Sequence, residues 1–217
     1  SFSWTPTATG THTLTATAST VAGETDTADN SNSTTSTVNS HDVAVTSVSA
    51  PSPVNANQAQ TVTVAVANEG TAAETFTVTL TDNLAATISG PQSVTVAAGG
   101  NQTLSFSWTP TAAGTHTLTA TASTVAGETD TADNNNSATS VVNLRDVAVT
   151  SVSAPSPVEV NQLQTVSVTV ANQGTVAETF TVDLTDNLAA TIGGPQTVTN
   201  LAAGASQTLS FTWTPTV

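Results

Sequence analysis

The chain predicts an all-β fold, a tandem series of β-sandwiches set end to end, and three observations carry that prediction. Apolar residues alternate with Thr and Ser at period two, as in strands with one buried face. Clusters of Pro, Gly, Asn and Ser punctuate these runs at short intervals. The sequence also copies itself: SFSWTPT opens at Ser1 and recurs at Ser105, SFTWTPT follows at Ser210, and DVAVTSVSAPSPV begins at both Asp42 and Asp146. A period near 104 residues is too long for a solenoid repeat and fits one small globular domain. Near-copies of a whole domain suit a fibre or stalk, whereas an enzyme needs one site and seldom duplicates its whole body.

The full repeat, residues 42–145, yields about seven strands, starting near Val43, Thr61, Thr75, Ser93, Gln102, Thr115 and Ala138, with a short extra segment around Ile88. In TVTVAVAN, Val62, Val64 and Val66 share a face; in TFTVTL, Phe76, Val78 and Leu80 do. In TLSFSW, Leu104, Phe106 and Trp108 face one way and Thr103, Ser105 and Ser107 the other. In GTHTLTATA, His116, Leu118 and Ala120 align. The breaks fall at Ala50-Pro51-Ser52-Pro53, Asn68-Glu69-Gly70, Ser89-Gly90-Pro91, Gly99-Gly100-Asn101, Thr109-Pro110 and Ala113-Gly114. About seven short alternating strands per hundred residues is the pattern of an immunoglobulin-like sandwich. Helical spacing is nowhere sustained.

The phase of the repeat divides the chain. Residues 1–41 read as the last third of a preceding repeat, 42–145 as a complete one, and 146–217 as the first two thirds of the next. A window on a longer array is the favoured expectation; completion of the two partial ends between neighbouring subunits, by strand addition, is the alternative. From Ser140 to Val149 the chain reads SVVNLRDVAV without Gly or Pro, so the joint is expected to be short and stiff. Each sandwich would add on the order of 35 Å, the length of a ten-residue strand.

Composition narrows the function classes. Lys plus Arg number 1 (Arg145) against 15 Asp plus Glu, for a formal net charge of −14, which disfavours nucleic acid and anionic lipid as partners. Only 7% of residues are charged, so Thr, Ser, Asn and Gln must cover the surface. A chain with one Arg and no Lys offers trypsin-like proteases almost no target, as suits exposure outside the cell; plain compositional bias reads equally well. Cysteine is absent, which removes disulfides, zinc-thiolate sites and thiol nucleophiles. Without lysine, Lys–Asn isopeptide cross-links are excluded too. No signal peptide is present and no apolar run approaches a membrane span; any export signal would lie upstream of Ser1.

The run DVAVTSVSAPSP, TVTVAVANEGTAAETFTVTL, VAAGGNQTLSFSWTPTAAGTHTLTATAS and ETDTADNNNS resembles the CARDB family, the cell-adhesion-related domain of bacterial and archaeal surface proteins. Its most specific pieces are Ala67-Asn68-Glu69-Gly70-Thr71, the segment from Gly99 to Pro110, and the acidic segment from Glu128 to Asn135. The resemblance implies a seven-stranded immunoglobulin-like or fibronectin-III-like sandwich, exported, in tandem arrays, with no catalytic activity. The near-loss of Lys and Arg departs from the family and leaves the interaction partner open.

Oxygen-rich loops are the candidate ligand sites. Glu128, Asp130, Asp133 and Asn134, with Asn136, cluster in GETDTADNNNS; Glu24, Asp26, Asp29 and Asn30, with Asn32, repeat them. Calcium takes six to eight such oxygens, but no EF-hand spacing is present, and a polar hairpin whose side chains bond their own backbone is the stronger reading. Asp82 and Asn83, copied at Asp186 and Asn187, form a second polar turn. Trp4, Trp108 and Trp213 read as core anchors rather than sugar platforms, and His12 and His116 as structural histidines at the sandwich rim. Sequons at Asn32, Asn101 and Asn135 are candidates for glycosylation, and the outward Thr rows for O-linked sugar.

No residue set points to an enzyme or a resident cofactor. The expected function is a structural component of an extracellular or cell-surface filament, stalk or surface layer. Its expected partner is itself, end to end and laterally, because Thr-rich edges carry few charges to block pairing. The alternatives are an adhesin or carbohydrate-binding spacer of a larger surface protein, and a passive spacer for an enzyme elsewhere in the same gene.

Overall fold

The computed structural model describes residues 1–188 and 191–216, and every regular element among them is a strand. The chain opens on a lone antiparallel hairpin, β1 (Gly10–Thr17) with β2 (Ser31–Val38). Nine strands follow: β3 (Val43–Ser49), β4 (Val54–Asn55), β5 (Gln60–Asn68), β6 (Glu74–Asp82), β7 (Ala86–Ile88), β8 (Gln92–Val96), β9 (Asn101–Pro110), β10 (Gly114–Ala122) and β11 (Asn135–Asn143). They build two sheets, ordered β3-β5-β9-β7 and β4-β11-β10-β6-β8. Every pairing is antiparallel except the short parallel contact of β4 with β11.

Period-two alternation becomes the core. In β5, Val62, Val64 and Val66 are fully buried while the Thr and Ala between them are not. Phe76 and Val78 of β6, Leu104, Phe106 and Trp108 of β9, and Leu118, Ala120 and Ala122 of β10 meet them from the other strands in one cluster. Each fully buried Val, Leu or Phe contributes about 1.5–3 kcal/mol from apolar transfer. Outward Thr rows bond across strands, as Thr75 does with Thr95 at 2.8 Å.

The observed strand starts match those expected to within a residue, save one. The last strand begins at Asn135, three residues before the expected Ala138. Its first residues are polar and show no alternation, yet they pair with Thr119, Ala120 and Thr121. β4 has no periodic signal at all, because two residues held by Val142 and Asn143 are too short to show one.

The remaining strands are β12 (Val147–Ser153), β13 (Gln164–Asn172), β14 (Glu178–Val182), β15 (Thr191–Ile192), β16 (Gln196–Leu201) and β17 (Ser206–Thr214). Sheet β12-β13-β17-β15 repeats the first sheet of the complete sandwich, while the facing sheet, among the described residues, holds β14 and β16. A separate core of Val168, Val170, Val182, Val198, Leu201, Leu209 and Phe211 forms between them. The third SFxWTPT copy lies one residue farther along the repeat than the second, and a bulge absorbs the extra residue. Asn200 takes a left-handed φ of 53°, and its N–H donates to Thr179 Oγ1 at 2.9 Å.

Candidate functional site

The polar groups buried in the complete sandwich gather at its two ends. At the end where β3 enters stands Asn68, the last residue of β5 and 1% exposed. Its Nδ2 donates to Ala72 O at 2.7 Å and Val96 O at 2.9 Å, and its Oδ1 accepts from Gly70 N–H at 3.0 Å. These bonds shape the Asn68-Glu69-Gly70-Thr71 turn into a clasp on the preceding linker. Glu69 N–H donates to Asp42 O at 2.9 Å, Thr71 N–H to Ser40 O at 3.0 Å, and Ser40 N–H to Thr71 Oγ1 at 2.9 Å. Glycine is required at position 70 because a Cβ there would lie 2.6 Å from Ser40 O.

The second joint repeats the clasp bond for bond. Asn172 Nδ2 donates to Val176 O at 2.7 Å and Leu201 O at 2.8 Å. Gln173 N–H donates to Asp146 O at 2.9 Å, Thr175 N–H to Leu144 O at 2.8 Å, and Leu144 N–H to Thr175 Oγ1 at 2.8 Å. A Cβ on Gly174 would meet Leu144 O at 2.5 Å. Each joint also carries a basic group paired with a strand-opening glutamate. His41 Nδ1 pairs with Glu74, and Arg145 Nη1 donates to Glu178 Oε1 and Oε2 at 2.9 and 3.0 Å. Arg145 Nε further donates to Asn55 Oδ1 in the preceding sandwich, at 3.3 Å. The chain's one Arg therefore sits across the joint, tying β4 of one sandwich to β14 of the next.

Sequence reasoning quoted Asn68 and Gly70 as a motif without a role, and missed Glu74, Glu178, His41 and Arg145 as partners. The signal was available: basic residues recur at 41 and 145 and glutamates at 74 and 178, rare charges at one shared spacing.

At the opposite end lies a buried polar rivet. Asp82 Oδ2 accepts from Trp108 Nε1–H at 3.0 Å and lies 2.6 Å from His116 Nδ1, while His116 Nε2 lies 2.9 Å from Ala112 O. Indole and imidazole meet edge to face at 5.5 Å. The side chains of His116 and Asp82 are 0% and 2% exposed, so this histidine is interior, not a rim residue. Trp108 is fully buried, as a core anchor should be; Trp4, outside any sandwich, is 43% exposed.

The acidic loop behaves as a backbone cap. Glu128 Oε2 accepts from Val125 N–H at 2.9 Å and Oε1 from Val43 N–H at 3.0 Å; Asp130 Oδ1 accepts from Ala132 N–H at 3.1 Å. Glu24 and Asp26 repeat the local bonds, to Val21 and Ala28 N–H at 2.9 and 3.0 Å. Asp133 carries Oδ1 buried without a partner, as does Asp42, and both side-chain polar atoms of Asn134 and the Nδ2 of Asn30 are likewise unmatched. Asp29 lies on the exposed surface of the equivalent loop. Burial, and then the charges of Asp133, Glu69, Asp130 and Glu128, hold the Asp42 carboxyl above its ordinary value. Among the described residues no three His, Asp or Glu side chains converge as a metal site. Asn32, Asn101 and Asn135 are all exposed. Among the described residues no helix is long and apolar enough to cross a membrane.

The CARDB family profile matches residues 40–140 and 144–217. Among solved structures, the chain is similar to a CARDB domain of a Pyrococcus furiosus protein, crystallised in complex with di-metal ions, at 24% identity and TM-score 0.43 over 50% of this chain and 98% of that one. It is similar to red sea bream transglutaminase at 14% identity and TM-score 0.35, over 82% of this chain and 27% of the enzyme. It is similar to the secreted serine protease VesC of Vibrio cholerae at 13% identity and TM-score 0.26, over 78% and 46%. No curated protein matches.

Proposed function

The chain belongs to the CARDB family, and from that premise we propose that it is a structural unit of an extracellular filament, stalk or surface layer whose sandwiches associate with their own kind. The family consists of non-catalytic, cell-surface-associated β-sandwich domains, which makes this chain a surface-protein repeat module. One observation carries the finer reading: both joints are held by the same clasp of buried Asn, close-packed Gly and paired linker bonds. A linker with its backbone bonded on both strands of approach cannot swing freely, so successive sandwiches keep a set relation. A freely hinged adhesin tether has no use for that restraint. The complete sandwich also buries its Trp108, the residue on which sugar stacking would have rested.

Electron microscopy of the purified chain tests this reading. Rods that associate end to end or side by side are expected; particles that stay dispersed across pH and calcium concentration overturn it. A measurable affinity for a defined glycan would instead favour the carbohydrate-binding spacer.

A further inference from the structure

A sheet ends at strands whose outer N–H and C=O groups have no neighbour to meet, and such edges invite pairing unless something closes them. Among the described residues the terminal strands of the complete sandwich are β3, β7, β4 and β8. β3 is closed from outside. Val43 N–H donates to Glu128 Oε1 at 3.0 Å, Val45 N–H donates to Asp133 O at 2.9 Å, and Asn136 Nδ2 donates to the carbonyls of Val45 and Thr46 at 3.2 Å. Its register also shifts between Val45 and Ser47, which breaks a straight edge. β4 and β7 hold two and three residues, too few to template a strand. β8 holds five, Gln92 to Val96, with no charge, no proline and no register shift against β6. Gln92 Nε2 fastens one end to Ser105 O at 2.7 Å, and Asn68 Nδ2 holds Val96 O at the other. Between them, among the described residues, Ser93, Val94 and Thr95 bond no main chain but that of β6.

Charge selects the same side. With a net charge of −14, two copies repel wherever their carboxylates meet. Yet from Asn83 to Gly127 there is no Asp, Glu, Lys or Arg, and that stretch supplies β7, β8, β9 and β10. Its one histidine, His116, is fully buried. The carboxylates gather instead where β3 enters, where the charges of Asp133, Glu69, Asp130 and Glu128 all act on Asp42. Glu74, opposite Val96, is 8% exposed and paired with His41. A second copy therefore approaches β8 without setting carboxylate against carboxylate. Along β8, Ser93 and Thr95 face solvent while Val94 and Val96 face the core. The strand that fits this edge is uncharged and alternates in the same way, and β8 is itself such a strand. A two-fold axis normal to the sheet sets two of them antiparallel with both valine faces on the core side. A slip of one residue would turn one set of valines to water. The corresponding edge of the third sandwich, β16, is blunted by the bulge at Asn200.

We infer that β8 of one copy pairs antiparallel with β8 of a second copy, centred on Val94, so that the two five-stranded sheets join edge to edge into one. Val94 is the middle residue of β8, and centring there is the register that uses the whole strand. It sets Ser93 opposite Thr95 of the second copy at both ends of the seam. The contact is isologous and joins copies side by side. It rests on the self-association proposed above and specifies its lateral contact.

Charge placed on the edge tests the contact. Ser93 and Thr95 are exposed, so Ser93→Lys with Thr95→Lys leaves the core untouched and sets ammonium against ammonium twice across the seam. Association read by sedimentation equilibrium should weaken about tenfold. Ser137→Lys with Thr139→Lys puts the same charge on exposed positions of β11 and should not weaken it, because a smaller net charge eases the approach of two copies. Mixing the β8 lysine chain with a Ser93→Glu, Thr95→Glu chain should restore pairing. Amide exchange at Ser93, Val94 and Thr95 should slow as protein concentration rises, while that of β16 stays unchanged. Association that the β8 lysines leave intact, or that the β11 lysines weaken equally, would overturn the edge contact and leave the filament reading standing. A loss that the mixture does not repair would overturn a second β8 as the occupant. A chain dispersed at every concentration would overturn both this contact and the self-association beneath it.

Discussion

The seven residues VAVTSVS occur twice, as β3 and as β12, and meet two environments. In β3 the first three are buried, under β10 and β11; in β12 none of the seven is. The strand after the clasp shows the same contrast. ETFTVTLTD is nine residues of strand beside β10, whereas the near-copy ETFTVDLTD holds strand for only five without that neighbour. An alternating sequence therefore sets which face is apolar, but the cover on that face and the full length of the strand are supplied by other segments.

The comparison can be broken by mutation, beginning with the anchors. Trp108→Ala should destabilise the complete sandwich by about 3–5 kcal/mol, since it empties a core site and strips a partner from buried Asp82. Trp213→Ala, on a residue already partly exposed, should cost less than half as much. Scanning calorimetry should resolve two transitions, and a single one that responds equally to both variants would erase the distinction between the two sandwiches.

The clasp is next in size. Asn172→Ala leaves Val176 O, Leu201 O and Gly174 N–H without their partner, a loss of about 2 kcal/mol. Arg145 is the chain's one trypsin site, so cleavage there reports opening of the second joint directly. Asn172→Ala should speed that cut about thirtyfold, a factor of ten for each 1.4 kcal/mol. Asn68→Ala, at the first joint, should leave the rate unchanged. Equal acceleration by both would mean that cleavage follows global unfolding and not the joint.

A conservative pair sharpens the contrast on identical sequence. Val45→Ala should cost about 2 kcal/mol, at about 0.8 kcal/mol for each buried methylene plus a cavity term. Val149→Ala should fall within about 0.5 kcal/mol in the dispersed chain. Equal penalties, read from the two calorimetric transitions, would show that the third sandwich is already covered.

The smallest effect is electrostatic. The Asp42 carboxyl titrates above its ordinary value in the folded chain, so the folded state holds that proton more tightly than the unfolded state. The resulting penalty is fully present above the folded value and disappears as pH falls through the unfolded one. Asp42→Asn should therefore raise the melting temperature slightly at neutral pH and flatten its rise on acidification. An unchanged slope would show that Asp42's neighbours, not Asp42, carry the titration.

Strand positions and inward faces were readable where a strand of the complete sandwich carries its own period-two code, as in Val62-Val64-Val66 and Leu104-Phe106-Trp108. The copied motifs Asn68-Glu69-Gly70 and Asn172-Gln173-Gly174 were visible as turns. Their task was not, because it depends on the carbonyls of Ser40 and Leu144, acceptors of no sequence signature that the fold brings within a Cβ's width of glycine. Asp82 read as a turn residue and His116 as a rim residue; a separation of 34 positions hid that they share one buried bond.

By itself the sequence determined the repeat, the sandwich class and the apolar face of each alternating strand, since these are written in local alternation and spacing, and its motifs carried the family resemblance. Tertiary structure alone decided which carbonyls the clasps hold, which carboxylate meets the histidine, and which strands cover Val43 and Val45. Those outcomes depend on contacts between segments dozens of residues apart, and a local pattern carries no record of what will stand opposite it.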